Sequence, residues 1–210
     1  MVSNSPIDIE GIYNDYLDKK QEENRLNRYS GNESWYHASG AGSCSRKLYF
    51  ESVEQVEVTN PIDAKTKRLL RLGNIVHDDF QESLVSYNRD IYNRDNNQDI
   101  SREIEKENKN KEKEIKFHTE QEVKIEELNV RGFYDIVSEG DEVYLYDLKT
   151  CGGYSWKLKF GRKPAFNPSI HYELQLGTYG YALKQQFGRL DGMFLYYYNK
   201  DTSMMRAVSV

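Results

Sequence analysis

The chain has 210 residues, a formal charge of −5 and a mean hydropathy of −0.85, with 30% of its residues charged. That length suits one domain with a proper core, and no apolar run approaches the length a membrane crossing needs. Residues 1–11 lack the basic start and apolar block of a secretory signal, and Cys44 and Cys151 are too few for a disulfide framework, so a cytoplasmic, reducing home is expected.

In chain order, 7–29 reads as a charged helix, 32–45 as a turn-rich segment and 44–51 as a short helix. These make an N-terminal helical region of about 1–60, ended by Asn60-Pro61. The strongest helix runs over 65–87, with Leu69, Leu72, Val76, Phe80, Leu84 and Tyr87 at the spacing of a buried stripe. His77 borders that stripe, with Gly73 one turn earlier leaving room above its ring. The residue is either a hydrogen-bonded histidine at a core edge or a ligand. A polar, mixed-charge insertion of about 88–116 follows, read as a solvated helix or a flexible segment. A strand is expected over 118–125, where Glu120 and Glu122 either add an acid to a site or face solvent. After a hairpin, 152–168 reads as a basic, aromatic loop, 172–187 as an amphipathic helix capped by Gly188, and 193–198 and 205–210 as closing strands. In the first of these, the run Tyr196 to Tyr198 either packs both faces of a strand or offers a ring to a base. The order predicts a mixed sheet flanked by helices, in the α/β or α+β class, as a single domain over 1–210.

The hairpin, R-G-F-Y-D-I-V-S-E-G-D-E-V-Y-L-Y-D-L-K-T from Arg131 to Thr150, carries the chemistry. Alternation puts Asp147 and Lys149 on one face. A turn centred on Gly140, free to take a positive φ, sets Asp135 opposite Leu145 and diagonal to Asp147, with Cα atoms about 7–8 Å apart. Two carboxylates so close repel, which should raise the pKa of one of them, and a divalent cation removes the repulsion, with oxygen donors favouring Mg²⁺ or Mn²⁺. Alternation alone also fits a surface hairpin facing water. Two acid-free basic clusters flank the hairpin in sequence: Lys65, Lys67, Arg68 and Arg71, then Lys157, Lys159, Arg162 and Lys163. Each is either a solvated face or a phosphate contact.

Four ordered motifs resemble the PD-(D/E)XK nuclease superfamily, in particular its RecB-like branch, which includes the CRISPR-associated spacer-acquisition exonuclease and the mitochondrial genome maintenance exonuclease. R-L-G-N-I-V-H (Arg71 to His77) is similar to the branch's helical G-x-x-x-H, and G-F-Y-D (Gly132 to Asp135) to its G-x-x-D strand. D-L-K (Asp147 to Lys149) is similar to its acid-x-lysine, and Q-L-G-T-Y (Gln175 to Tyr179) to its Q-x-x-x-Y helix. The resemblance implies a restriction-endonuclease-like fold and a metal-dependent DNA nuclease. The expected activity is that of an exonuclease or end-processing enzyme on single-stranded or frayed DNA, as in repair and recombination. The alternatives are a structure-selective endonuclease, an RNA-directed nuclease, or a non-catalytic nucleic-acid-binding module on the same scaffold.

The resemblance also implies roles. His77, Asp135, Asp147 and the Leu148 backbone carbonyl would hold Mg²⁺ or Mn²⁺, and Lys149 would orient or deprotonate the attacking water. Gln175 and Tyr179 would support the site or touch the DNA. Arg46 and Lys47 would help hold it, and Trp156 and Phe160, with Lys157 and Lys159 between and beside them, would form a sequence-tolerant track for a strand. Asp147 stands where many relatives have Glu. S-C-S-R-K-L-Y-F around Cys44 resembles the segment that supplies the first cysteine of iron–sulfur members, but no cysteine follows Cys151. One chain therefore cannot form a four-cysteine cluster, and Cys44 is expected to be a small buried residue.

Overall fold

In a computed structural model, the described residues are 7–28, 35–52, 60–96, 115–162 and 170–210. Helix α1 (Ile9–Arg28) leads to a two-residue strand β1 (Tyr36–His37), a 3-10 turn (Ala38–Gly40), helix α2 (Ser45–Ser52) and the long helix α3 (Ala64–Asn96). Strands β2 (Lys116–Ile125), β3 (Val130–Glu139) and β4 (Val143–Cys151) follow, then helices α4 (Gly153–Phe160) and α5 (Ile170–Phe187), and strands β5 (Gly192–Asn199) and β6 (Met205–Ser209). Among the described residues, no helix is long and apolar enough to cross a membrane.

The six strands form one mixed sheet. β2 and β3 are antiparallel, β4 and β5 are parallel, and the outer strand β6 is antiparallel to β5. β3 is shared on its other side: β1 runs parallel to its start, at Val130 and Arg131, and β4 pairs with its end, from Ile136 to Glu139. A parallel β4–β5 pair needs a crossover, and α4 with α5 supplies it. The expected mixed sheet flanked by helices is therefore present.

One sheet face packs on α5. Leu176, Tyr179, Ala182 and Leu183 recur at spacings of three and four and meet Val123, Tyr134, Val137, Leu145, Leu195 and Tyr197 in one core. Gly188, with φ of 73°, ends α5 in the left-handed conformation. The other face packs on α3, where Phe80 meets Tyr196 and Tyr198 edge-on. The Tyr196 to Tyr198 run thus serves as a strand packing both its faces.

Several sequence expectations shift. α3 continues to Asn96, because Ile91 is buried and Asn88 brackets Phe117 of β2 with two hydrogen bonds. The expected insertion therefore begins inside this helix, and its part over 97–114 lies outside the described residues. The expected stripe on α3 is buried only in part: Leu69, Leu72 and Tyr87 are exposed, while Val76, Phe80 and Leu84 are half-buried, with His77 and Gln81 turned inward beside them. Gly73 makes room for Thr150, whose hydroxyl would lie 3.1 Å from an added Cβ, rather than for the His77 ring. The basic, aromatic segment is a helix, α4, from Gly153 to Phe160, with Asp201 accepting from the Gly153 N–H at its start; residues 163–169 lie outside the described set. Cys44 is exposed instead of buried, and the backbone N–H groups of Lys47 and Arg46 hold its thiol pKa below the ordinary value.

Candidate active site

The β3–β4 ladder sets the site. Glu139 pairs with Val143 and Val137 with Leu145, so the turn is Gly140–Asp141–Glu142 and centres one residue later than expected. Gly140 does not take the left-handed conformation. The shift moves Asp135 two places along β4, from opposite Leu145 to level with Asp147. By alternation alone a shift of two places would preserve the face, where one would invert it.

The ladder stops after Ile136–Tyr146. One residue further on, the Asp135 side chain replaces a main-chain partner: its Oδ2 accepts the Leu148 N–H at 2.6 Å. Its Oδ1 lies 3.5 Å from Nδ1 of His77 on α3. Burial works against a charged imidazole, but the hydrogen bond and charge of Asp135 outweigh it and raise the His77 pKa. His77 is thus paired with Asp135, an arrangement that a hydrogen-bonded core-edge histidine and a ligand share.

Asp147 is 1% exposed, and Lys149 Nζ sits 2.6 Å from its Oδ2 as an ion pair. Oδ2 has no donor other than this ammonium group. Burial, opposed by the Lys149 charge and assisted by that of Asp135, pushes the Asp147 pKa up to about 6. The expected rise at one of the two acids is therefore present, on Asp147, but desolvation is the larger cause.

A relay holds the lysine. Lys149 Nζ donates to Gln175 Oε1 at 3.2 Å, and Gln175 Nε2 donates to the Tyr179 hydroxyl at 3.1 Å. Gln175 and Tyr179 meet because they are one turn apart on α5. Tyr179 is 3% exposed, and burial raises its pKa to about 12, so it remains a neutral phenol. Gly132 explains the glycine of the G-F-Y-D strand: a Cβ there would lie 2.7 Å from the Tyr179 ring and 2.9 Å from the Ala38 Cβ. The sequence reading missed Tyr172, whose ring lies 4.7 Å from Lys149 Nζ. Its place three residues before Gln175 on the same helix was the available signal.

Glu120 and Glu122 separate. Glu122 faces outward beside Lys124. Glu120 turns to α3, accepts from Gln81 Nε2 at 2.7 Å and feels the charges of Asp135 and His77. Arg46 and Lys47 are exposed on α2 and interact with Phe50 and Glu51 of the same helix. Trp156 and Phe160 meet at a tilt and pack against the core, Lys159 lies over Tyr197, and Lys157 is exposed. In the first basic cluster, Lys67 pairs with Asp18, Arg68 with Glu10 and Arg71 with Asp78, so three of its four cations are already met by carboxylates. Lys163 of the second cluster lies outside the described residues.

One imidazole and two carboxylates, one of them buried with only an ammonium group against its Oδ2, suit a hard divalent cation in their chemistry. Among the described residues, no three His, Cys, Asp or Glu side chains are already gathered as a metal cage. Lys149 sits against the oxygen that an ion would take.

No curated protein matches this chain in sequence. Its fold is similar to the crystal structure of SSO0001, with a TM-score of 0.53 and 16% identity, covering 95% of this chain and 79% of that one. The PD-(D/E)XK nuclease superfamily profile matches residues 34–207, which hold every residue of the cluster described above. The chain belongs to the PD-(D/E)XK nuclease superfamily.

Proposed function

We propose that this chain is a divalent-metal-dependent deoxyribonuclease of the RecB-like branch, working as an exonuclease or end-processing enzyme on single-stranded or frayed DNA. The observation that carries the reading is the buried carboxylate of Asp147, whose Oδ2 has only the Lys149 ammonium group against it, with Asp135 held level with it by the Leu148 N–H. Such a carboxylate is costly to bury, and a cation is the partner that removes the cost.

His77, Asp135 and Asp147, with the Leu148 carbonyl, would hold Mg²⁺ or Mn²⁺. The ion supplies a more acidic water and offsets charge on the phosphate oxygens. Lys149 presents a compact positive charge where a phosphodiester gains negative charge. Gln175 and Tyr172 keep its ammonium group at that point. A strand track built on Trp156 and Phe160 is not supported, because both rings pack inward. The outward face of α4 instead offers Tyr154, 77% exposed, with Lys157 one turn later. A ring that stacks on any base and a cation that meets phosphate suit a single strand of any sequence.

The test is digestion of end-labelled single-stranded, double-stranded and covalently closed circular DNA with Mg²⁺ or Mn²⁺, against a chelator control. Linear DNA should be degraded from its ends while circles survive. Lys149→Ala should abolish cleavage while DNA binding persists; lost binding with unchanged cleavage per bound complex refutes the role given to Lys149. Cut circles would make the enzyme an endonuclease, and binding without any digestion would leave a non-catalytic module.

A further inference from the structure

Three described residues other than glycine have positive φ, and two of them, Asn129 and Ser203, lie in connections between strands. The third, Glu120, has φ of 51° inside strand β2. A side chain with a Cβ adopts that conformation only at a cost, and such residues persist where surrounding contacts impose them. Here the contact is Gln81, whose amide holds the Glu120 carboxylate at 2.7 Å.

The kink faces Asp135. Thr119 pairs with Ile136 and Gln121 with Tyr134, while the pair between them, Glu120 with Asp135, is missing from the ladder. Side-chain alternation inverts at the same place. Tyr134 and Val137 share the core under α5 although they lie an odd number of positions apart. In β2, Val123 and Ile125 join that core, yet His118, also an odd number away, packs on Phe187 of α5. An unbroken strand running back from Val137 would put Asp135 on the α5 face, away from α3 and His77. The inversion brings it to the gap between β3 and β4, where one carboxylate reaches both Leu148 and His77.

We propose that Glu120 is a positioning residue: its left-handed backbone, locked by Gln81, turns Asp135 out of the β2–β3 ladder and into the gap beside Leu148. This rests on the reading of Asp135 as a site carboxylate, but its content is conformational. The effect belongs to the backbone, so it survives in residues that tolerate positive φ and fails in β-branched ones.

The test reads the Leu148 amide by NMR in ¹⁵N-labelled, metal-free protein, with Asp135→Asn identifying the signal of the carboxylate-bound N–H. Glu120→Gly and Glu120→Gln should keep that signal. Glu120→Val should shift it and speed its solvent exchange about tenfold or more, with the far-UV spectrum unchanged. Retained protection in folded Glu120→Val, or lost protection in Glu120→Gly, overturns the proposal; if Glu120→Val does not fold, Glu120→Gly decides alone. Mn²⁺ titration of the same proteins should show about tenfold weaker binding for Glu120→Val and little change for Glu120→Gly. A wild-type protein that binds no Mn²⁺ would sink the metal reading while leaving the Leu148 result to judge Glu120.

Discussion

Lys149 and Gln175 are joined by a 3.2 Å hydrogen bond that leaves the ammonium group facing Asp147, and Gln175 is itself anchored on the buried Tyr179 hydroxyl. A lysine side chain has four rotatable bonds, so a fixed position for its charge requires such a partner. Gln175→Ala should therefore lower single-turnover cleavage about 10–100-fold while DNA binding changes little. Gln175→Glu, which keeps an acceptor oxygen for Lys149, should retain more activity than Gln175→Ala. A drop seen only in KM would mean that Gln175 serves the substrate and not the lysine.

Tyr172 holds the same ammonium group from another side, with its ring 4.7 Å away. A cation over an aromatic face at a half-exposed position contributes about 0.5–1 kcal/mol. Tyr172→Leu should cost about two- to fivefold in cleavage, by the same arithmetic that makes 1.4 kcal/mol tenfold. Tyr172→Phe should be close to wild type, because the ring face and not the hydroxyl does the holding. Equal losses in both variants would assign the hydroxyl a role instead.

Much of this site was legible because its residues keep helical or strand spacing. Gln175 and Tyr179 are one turn apart on a helix, and Asp147 and Lys149 two residues apart on a strand, so local geometry alone makes each pair adjacent. Asp135 was placed on the correct strand but in the wrong register, because the turn has three residues and closes on Glu139 and Val143. Turn length is set by local backbone preference, which a run such as S-E-G-D-E leaves open. The break at Glu120 was invisible for a different reason. Nothing in K-F-H-T-E-Q-E-V-K-I marks a left-handed residue, and the conformation follows from Gln81, 39 positions earlier in the chain. The inward turn of Trp156 and Phe160 is not legible because the sequence there reads as a loop, and a loop carries no face to assign.

Gly132 lies where β3 passes beneath Tyr179. A methyl group there would meet the ring at 2.7 Å and the Ala38 Cβ at 2.9 Å, distances at which one neighbour must move. Tyr179 and Ala38 are both buried, so neither can swing into solvent. Gly132→Ala should destabilise the fold by about 1–3 kcal/mol, measured by denaturant melts. It should also cost activity beyond that of an equally destabilising core change such as Leu183→Ala, because displacing Tyr179 disturbs Gln175 and through it Lys149. If the two variants lose activity equally at matched folded fraction, the relay has no part in catalysis.

Asp147 gives the protein a pH dependence with a definite sign. Its pKa is raised from an ordinary 3.8 to about 6, with burial as the main cause. Between those values the folded state binds more protons at this site than the unfolded state, so its contribution to stability is full below pH 4 and falls as pH rises towards 6. Above about pH 6 the ionised, buried carboxylate is a constant penalty. Asp147→Asn removes it, offset in part by the partner that Lys149 loses. Metal-free Asp147→Asn should therefore be more stable than wild type at pH 7.5 by about 1–3 kcal/mol, and flatter in stability between pH 4 and 6, while being inactive. Adding Mg²⁺ or Mn²⁺ should reverse the order, since an ion bound to the folded state stabilises wild type and has lost a carboxylate ligand in the variant. The check is a pair of pH-resolved denaturation series, with and without the cation. A variant that is less stable than wild type at pH 7.5 without metal would show that the Lys149 ion pair outweighs the cost of burying the charge.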